Sequence, residues 1–164
     1  MAQPHELRCY DYVNHPYDAV RDAMRADLGG IFERATTSAT RRAHALAANL
    51  KVGVGALEIG TDVVIEVLGV EERDEGPAGH APTTFIGLRW KGARAAALFP
   101  SMEAEVIVYP LSRDETQIEL HGRYTPPLGT VGGALDSMIG HRIADASVHR
   151  FVTDVARLLR AEIH

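Results

Sequence analysis

Polar and apolar residues alternate from Leu7 to Val13, which predicts a first strand with Tyr10 and Tyr12 on one face. Asn14-His15-Pro16 ends it, and Pro16 suits the start of a helix, where its missing N–H costs nothing. Tyr17, Val20, Met24 and Leu28 then recur at helical spacing, and Gly29-Gly30 predicts the end of that helix. A second, shorter helix is expected within Ile31 to Ala48, capped by Ser38 or Thr40 and running through Leu46. Strand patterns follow at Leu50 to Leu57, Asp62 to Val70, Thr83 to Lys91, Met102 to Tyr109 and Thr116 to Tyr124. Gly60-Thr61 reads as a hairpin turn, Glu71 to Pro82 as an exposed loop, and Ser112 to Glu115 as a turn. Ala93 to Phe99 is an apolar connection.

The C-terminal third predicts a helix of about thirty residues, long enough to lie across most of the molecule. It carries two apolar stripes. Val131, Leu135, Met138 and Ile139 form one; Val148, Phe151, Val152, Val155, Leu158 and Leu159 form the other. At about 100° per residue the two point to nearly opposite sides of an ideal helix, so a break or kink is expected at Gly140. One strand, two helices, a run of at least five strands and a long terminal helix indicate an α+β fold with an antiparallel sheet. No linker or internal repeat divides the chain, and residues 1–164 read as one domain.

Composition narrows the function classes. Of the 164 residues, 46% are hydrophobic and 24% charged, and the net charge is −5. With no run of basic residues, a general nucleic-acid or anionic-membrane surface is not expected. Cys9 is the one cysteine and lies in the first strand, which predicts a buried structural thiol and excludes an internal disulfide. The first residues lack the pattern of a signal peptide, and no apolar run reaches the length of a membrane span, so a cytoplasmic protein is the default.

Alternation along the later strands sorts residues onto two faces. Leu88 and Trp90, then Met102, Ala104, Val106 and Val108, then Ile118, Leu120 and Tyr124 form the apolar set. Arg89, Glu103, Glu105, Gln117, Glu119, His121 and Arg123 form the opposite, polar set. If the terminal helix lies on the apolar face, the same residues line either a ligand cavity or a filled core, with Leu135, Met138 and Ile139 as walls from the helix. The Tyr124 O–H and the Trp90 N–H are then the polar groups able to orient a ligand.

The run Leu120-His121-Gly122-Arg123-Tyr124-Thr125-Pro126-Pro127-Leu128-Gly129, followed by Asp136, Arg142-Ile143-Ala144 and Phe151, resembles the START-like superfamily. The order of elements over nearly the whole chain resembles it too. The resemblance implies the helix-grip fold shared by Bet v 1 allergens, polyketide cyclases and lipid-transfer domains: an antiparallel sheet wrapped around a long C-terminal helix, with two short helices after the first strand. It implies binding of a small apolar or amphipathic molecule between sheet and helix. Two alternatives remain: a polyketide cyclase-like enzyme using the same cavity with Tyr124 as acid, and a protein-interaction module with a filled core. A homodimer is compatible with each. Ile31 to Ala48 departs from the resemblance, being longer and more helical than the insert of many members.

Other candidates are weaker. His141, Asp145 and His149 stand one helical turn apart, and their spacing is that of a solvated Asp–His stripe as readily as of a metal site, so no metal or cofactor is expected. His121, Glu119 and Glu103 are acid–base types but fall on the outer face, where a solvated surface is expected. His44 with Arg41 and Arg42 reads as surface charge. Gly53 and Gly55 lack the rest of a dinucleotide fingerprint, Gly132-Gly133 lets a helix start approach the sheet, and no nucleophile elbow or phosphate-binding loop occurs.

Overall fold

The computed structural model describes residues 4–49, 63–92, 101–125 and 134–164, without the side chains of 43–49, 63, 91–92, 101, 125, 134–140 and 143. Strand β1 (His5–Val13) leads into helix α1 (Tyr17–Asn49), followed by β2 (Val63–Arg73), β3 (Thr83–Gly92), β4 (Ser101–Ser112), β5 (Glu115–Thr125) and helix α2 (Ala134–Glu162). The described strands form one antiparallel sheet in the order β1-β5-β4-β3-β2. Three of the four pairings join strands that follow one another in sequence, while β1 pairs with β5, so the first and last described strands lie side by side. The expected strand at Leu50 to Leu57, the Gly60-Thr61 turn and the connection Ala93 to Phe99 lie outside the described residues.

The register places side chains in rows across the sheet, because directly paired residues share a face. On the inner face the first row is His5, Tyr124, Met102, Trp90 and Ile65, and the second is Leu7, Gly122, Ala104, Leu88 and Val67. Cys9, Leu120, Val106 and Ile86 make the third row. Asp11, Ile118, Val108 and Thr84 make the fourth. The outer face carries a row of alternating charge, Glu6, Arg123, Glu103, Arg89 and Glu66. Arg89 contacts Glu103 at 2.8 Å and Glu66 at 3.8 Å. Such exposed pairs contribute only about 0–1 kcal/mol each, but they keep the outer face wet.

Helix α1 differs from the expectation. Its first segment begins where Pro16 offers its carbonyl to the Val20 N–H, at 3.1 Å. The break falls at Asp27 (φ −152°, ψ 50°), not at Gly29-Gly30. There the Asp27 carboxylate accepts the Gly30 N–H at 3.1 Å, so it caps the second segment. A Cβ on Gly30 would stand 2.4 Å from that carboxylate, so the glycine makes room for a helix start. Ser38 and Thr40 are no caps either. Both lie within the second segment, and the Thr40 hydroxyl bonds back to the Thr36 carbonyl at 2.9 Å.

The second segment of α1 runs antiparallel to α2. Arg34 reaches Glu162 at 3.4 Å, and Arg150 reaches Ser38 at 3.0 Å. Asp154, 1% exposed, is enclosed by this pairing and held by Arg150 and Arg157 at 2.9 and 3.1 Å. Val148, Phe151, Val152, Val155 and Leu159 of α2 are buried, as their stripe requires. The kink expected at Gly140 does not occur, and α2 is one continuous helix of 29 residues. A glycine inside a helix costs only about 1 kcal/mol, which a ladder of that length absorbs.

Strand ends also shift. β2 continues to Arg73 before the loop begins, and β4 runs to Ser112 before a tight turn at Arg113-Asp114.

Candidate functional site

The inner face has two ends of different character. At one end β1 passes into α1, β4 turns into β5, and the loop between β2 and β3 returns. Here the Tyr17 and Thr84 hydroxyls bond to each other at 2.7 Å, and the Thr116 hydroxyl donates to the His15 carbonyl at 2.8 Å. On the β3 side of the first row, Phe151 stands edge-on to Trp90 with centroids 4.8 Å apart and packs on Phe32 at 5.6 Å. The Trp90 N–H, expected to be free for a ligand, donates to the Thr36 hydroxyl at 3.2 Å. Leu88, Val106, Ile118 and Leu120 are each at most 1% exposed beneath these helices.

The other end is the first row. His5 is half-buried and stacks on the ring of buried Tyr124 with centroids 5.6 Å apart. His141 of α2 meets His5 at the same distance, tilted by 47°. Among the described residues, none of these three side chains makes a hydrogen bond. Burial pushes the Tyr124 phenol up from its ordinary pKa, so it stays a neutral O–H donor near pH 7. Met102 is half-buried beside it. In the next row Gly122 and Ala104 leave the sheet low, and the Met102 sulfur leans over Gly122, 3.2 Å from where a Cβ would stand. Leu135, Met138 and Ile139 belong to α2, but their side chains lie outside the described residues, as do His44, Gly53, Gly55 and Gly132-Gly133.

His5 lies two residues before the alternation Leu7 to Val13 that predicts the first strand. Continuing the alternation back by two residues would have put His5 on the face of Leu7 and Cys9. Cys9 is buried as expected. Burial, with the charges of Asp145 and Glu119, pushes its thiol up to about 12, which leaves almost no thiolate near pH 7.

The outer-face acid–base candidates separate. Glu103 pairs with Arg89. Glu119 and His121 meet at 2.7 Å, but Glu119 is only 5% exposed, so this part of the outer face is not the solvated surface expected. The Glu119 carboxylate also accepts from Arg8 at 2.6 Å and from the Tyr109 hydroxyl at 3.0 Å. Burial pushes its pKa up, but the bonds from His121, Arg8 and Tyr109 and the Arg8 charge outweigh it and hold it at about 2. This carboxylate staples β1, β5 and β4 together, on the face away from the helices. Of the helical stripe, His149 and Asp145 approach to 4.0 Å and both are about half exposed. Among the described residues, no three His, Cys, Asp or Glu side chains are gathered as a metal site, and no helix is long and apolar enough to cross a membrane.

The five-stranded antiparallel sheet with a long C-terminal helix along its inner face is an α+β helix-grip fold. Among solved structures, the chain is similar to the Zhui aromatase/cyclase from Streptomyces sp. R1128, with a TM-score of 0.50 and 15% identity over 99% of this chain and 97% of that one. Looser likenesses are to Ara h 8.0201 (TM-score 0.47, 7% identity, 97% and 99% covered) and to a truncated norcoclaurine synthase from Thalictrum flavum (0.42, 10%, 96% and 94%). At these identities the likeness establishes the fold alone. No family model and no curated protein matches the sequence.

Proposed function

We propose that the protein binds a small apolar or amphipathic molecule between the sheet and α2, at the end of the inner face shared by Met102, Tyr124 and His5. The observation that carries this reading is the contrast within one sheet. Buried polar groups at the Tyr17 end are hydrogen-bonded to one another, while the Tyr124 phenol has no partner among the described residues. Among the described residues no sealed side-chain polar atom lacks a partner, so the Tyr124 hydroxyl is not a buried orphan but a donor still open to a bound molecule. Leu88, Trp90, Val106, Ile118 and Leu120 form the apolar floor behind this end. Leu135, Met138 and Ile139, within two turns N-terminal to His141 on α2, are the proposed walls. Each buried CH₂ of the ligand contributes about 0.8 kcal/mol. The reading implies a carrier or sequestering protein, with burial and not covalent chemistry as its mechanism.

Native mass spectrometry of protein purified from its own host tests the proposal. A small molecule retained in the native spectrum and released on unfolding is expected. A bare mass, together with no uptake of apolar compounds added in solution, would overturn it.

A second reading is an enzyme using the same place, as the aromatase/cyclase similar in fold does in name. The buried Tyr124 phenol stacked on the His5 ring favours it, since a phenol and an imidazole are groups that can pass a proton to and from a substrate. Turnover lost in Tyr124→Phe with binding kept would select this reading over a carrier.

A further inference from the structure

We infer that the protein docks on an anionic lipid surface through Arg41, Arg42 and Arg142, at the end of the helix pair that lies over His5. The choice of a lipid surface rests on the binding site proposed above; the gathering of the three arginines does not.

Two observations lead to it. The first is which arginines are already engaged. Every other described arginine except Arg113 has a partner within the molecule, as Arg34 has in Glu162, Arg150 and Arg157 in Asp154, and Arg160 in the Tyr12 carbonyl. Arg41, Arg42 and Arg142 are exposed and make no hydrogen bond or ion pair among the described residues. No Asp or Glu occurs in the sequence between Glu33 and Glu58 or between Asp136 and Asp145, and Asp145 approaches His149. Three guanidinium groups thus stand without a counter-charge in a protein whose net charge is −5.

The second is where they lie. Ser38 and Arg150 mark one point of contact between the second segment of α1 and α2. From that point Arg42 is one turn on along α1, about 6 Å, and Arg142 is two turns back along α2, about 12 Å. Because the two helices are antiparallel, both steps lead the same way. They lead toward His141, which stands against His5 at the end of the sheet proposed to hold the ligand. The patch therefore joins residues a hundred positions apart, which is why no run of basic residues announces it in the sequence.

A lipid surface fits this place. Apolar and amphipathic molecules collect in membranes, and a site whose open end faces the bilayer spares them passage through water. The acidic remainder of the protein does not prevent contact, since at physiological salt its field fades within about 8 Å. Each arginine held near an anionic surface strengthens binding roughly fivefold.

Flotation of the full chain with vesicles tests the inference, using phosphatidylcholine alone and phosphatidylcholine mixed with phosphatidylserine. Binding to the mixed vesicles is expected to be at least about tenfold stronger, and to be lost at high salt. The triple variant Arg41→Gln, Arg42→Gln, Arg142→Gln is expected to lose about a hundredfold, while Arg113→Gln, at the opposite end, should stay within about twofold. Equal binding to both vesicle types, or mixed-vesicle binding that survives the triple substitution, would overturn the inference. Binding to neither would also overturn it, and a small molecule still retained in native mass spectrometry would then leave the binding site standing. Binding of poly-glutamate but not of vesicles would overturn the lipid surface in favour of an acidic protein. Thermal melts of the variants separate loss of charge from loss of fold.

Discussion

Two buried tyrosines sit on or against the inner face, and they are used in opposite ways. Tyr17, at the start of α1, spends its hydroxyl on Thr84 of β3 and ties helix to sheet. Tyr124, at the far end of β5, stacks on His5 and keeps its hydroxyl unbonded among the described residues. The same fold and the same residue type give a sealed polar contact at one end and an available donor at the other. Burial alone thus does not separate a core residue from a binding residue; the fate of the polar atom does.

Substitutions can break or sharpen this contrast. The largest effect is expected from Phe151→Ala, which removes the ring wedged between Phe32 and Trp90. It should cost about 3–5 kcal/mol in urea unfolding, whereas Met102→Ala, at the half-buried end, should cost well under half as much. Equal losses would mean that Met102 is packed as tightly as the Phe151–Trp90 cluster beside it in the same row.

Next is Glu119→Gln on the outer face, a test of the sheet itself. The Glu119 carboxyl is held at about 2, below its ordinary 4.5. Its stabilisation is therefore present above pH 4.5 and lost as pH falls through about 2. Wild type should exceed the variant by about 2 kcal/mol near pH 7, with the gap closing by pH 2. A gap unchanged across that range would contradict the account. Asp27→Ala should cost about 1 kcal/mol in the same assay through loss of the cap on the second segment of α1.

The smallest effect carries the comparison most directly. Tyr17→Phe leaves the buried Thr84 hydroxyl without its partner and should cost about 1–2 kcal/mol, while Tyr124→Phe should stay within about 0.5 kcal/mol. If the two cost the same, Tyr124 is a structural residue like Tyr17.

Much of this arrangement was legible in the sequence, and the failures have physical reasons. The inner set Leu88, Trp90, Val106, Ile118, Leu120 and Tyr124 follows from period-two alternation, and the structure buries all of it. Gly29-Gly30 misled because glycine both ends helices and opens space. Here the opened space holds the Asp27 carboxylate, a contact with no signature in spacing. The alternation put Glu119 on the correct face but could not show its burial, since Arg8 and Tyr109 come from β1 and β4 and meet it only through the register. The use of Trp90 by Thr36 was hidden for the same reason: α1 crosses back over β3 at a place no local pattern encodes.

The pairing of β1 has a consequence in time. Among the described strands its only partner is β5, so the contacts from His5–Tyr124 to Val13–Thr116 span about a hundred residues or more of chain. On a ribosome, the first strand emerges early and waits until nearly everything else has been made. Its inward side chains, Leu7, Cys9 and Val13, are exposed during that wait, and the closing of so long a loop slows the final step. Refolding of the complete chain should accordingly be slow beside that of a helical bundle of similar size, and a chain released before β5 is made would leave β1 with an unpaired edge.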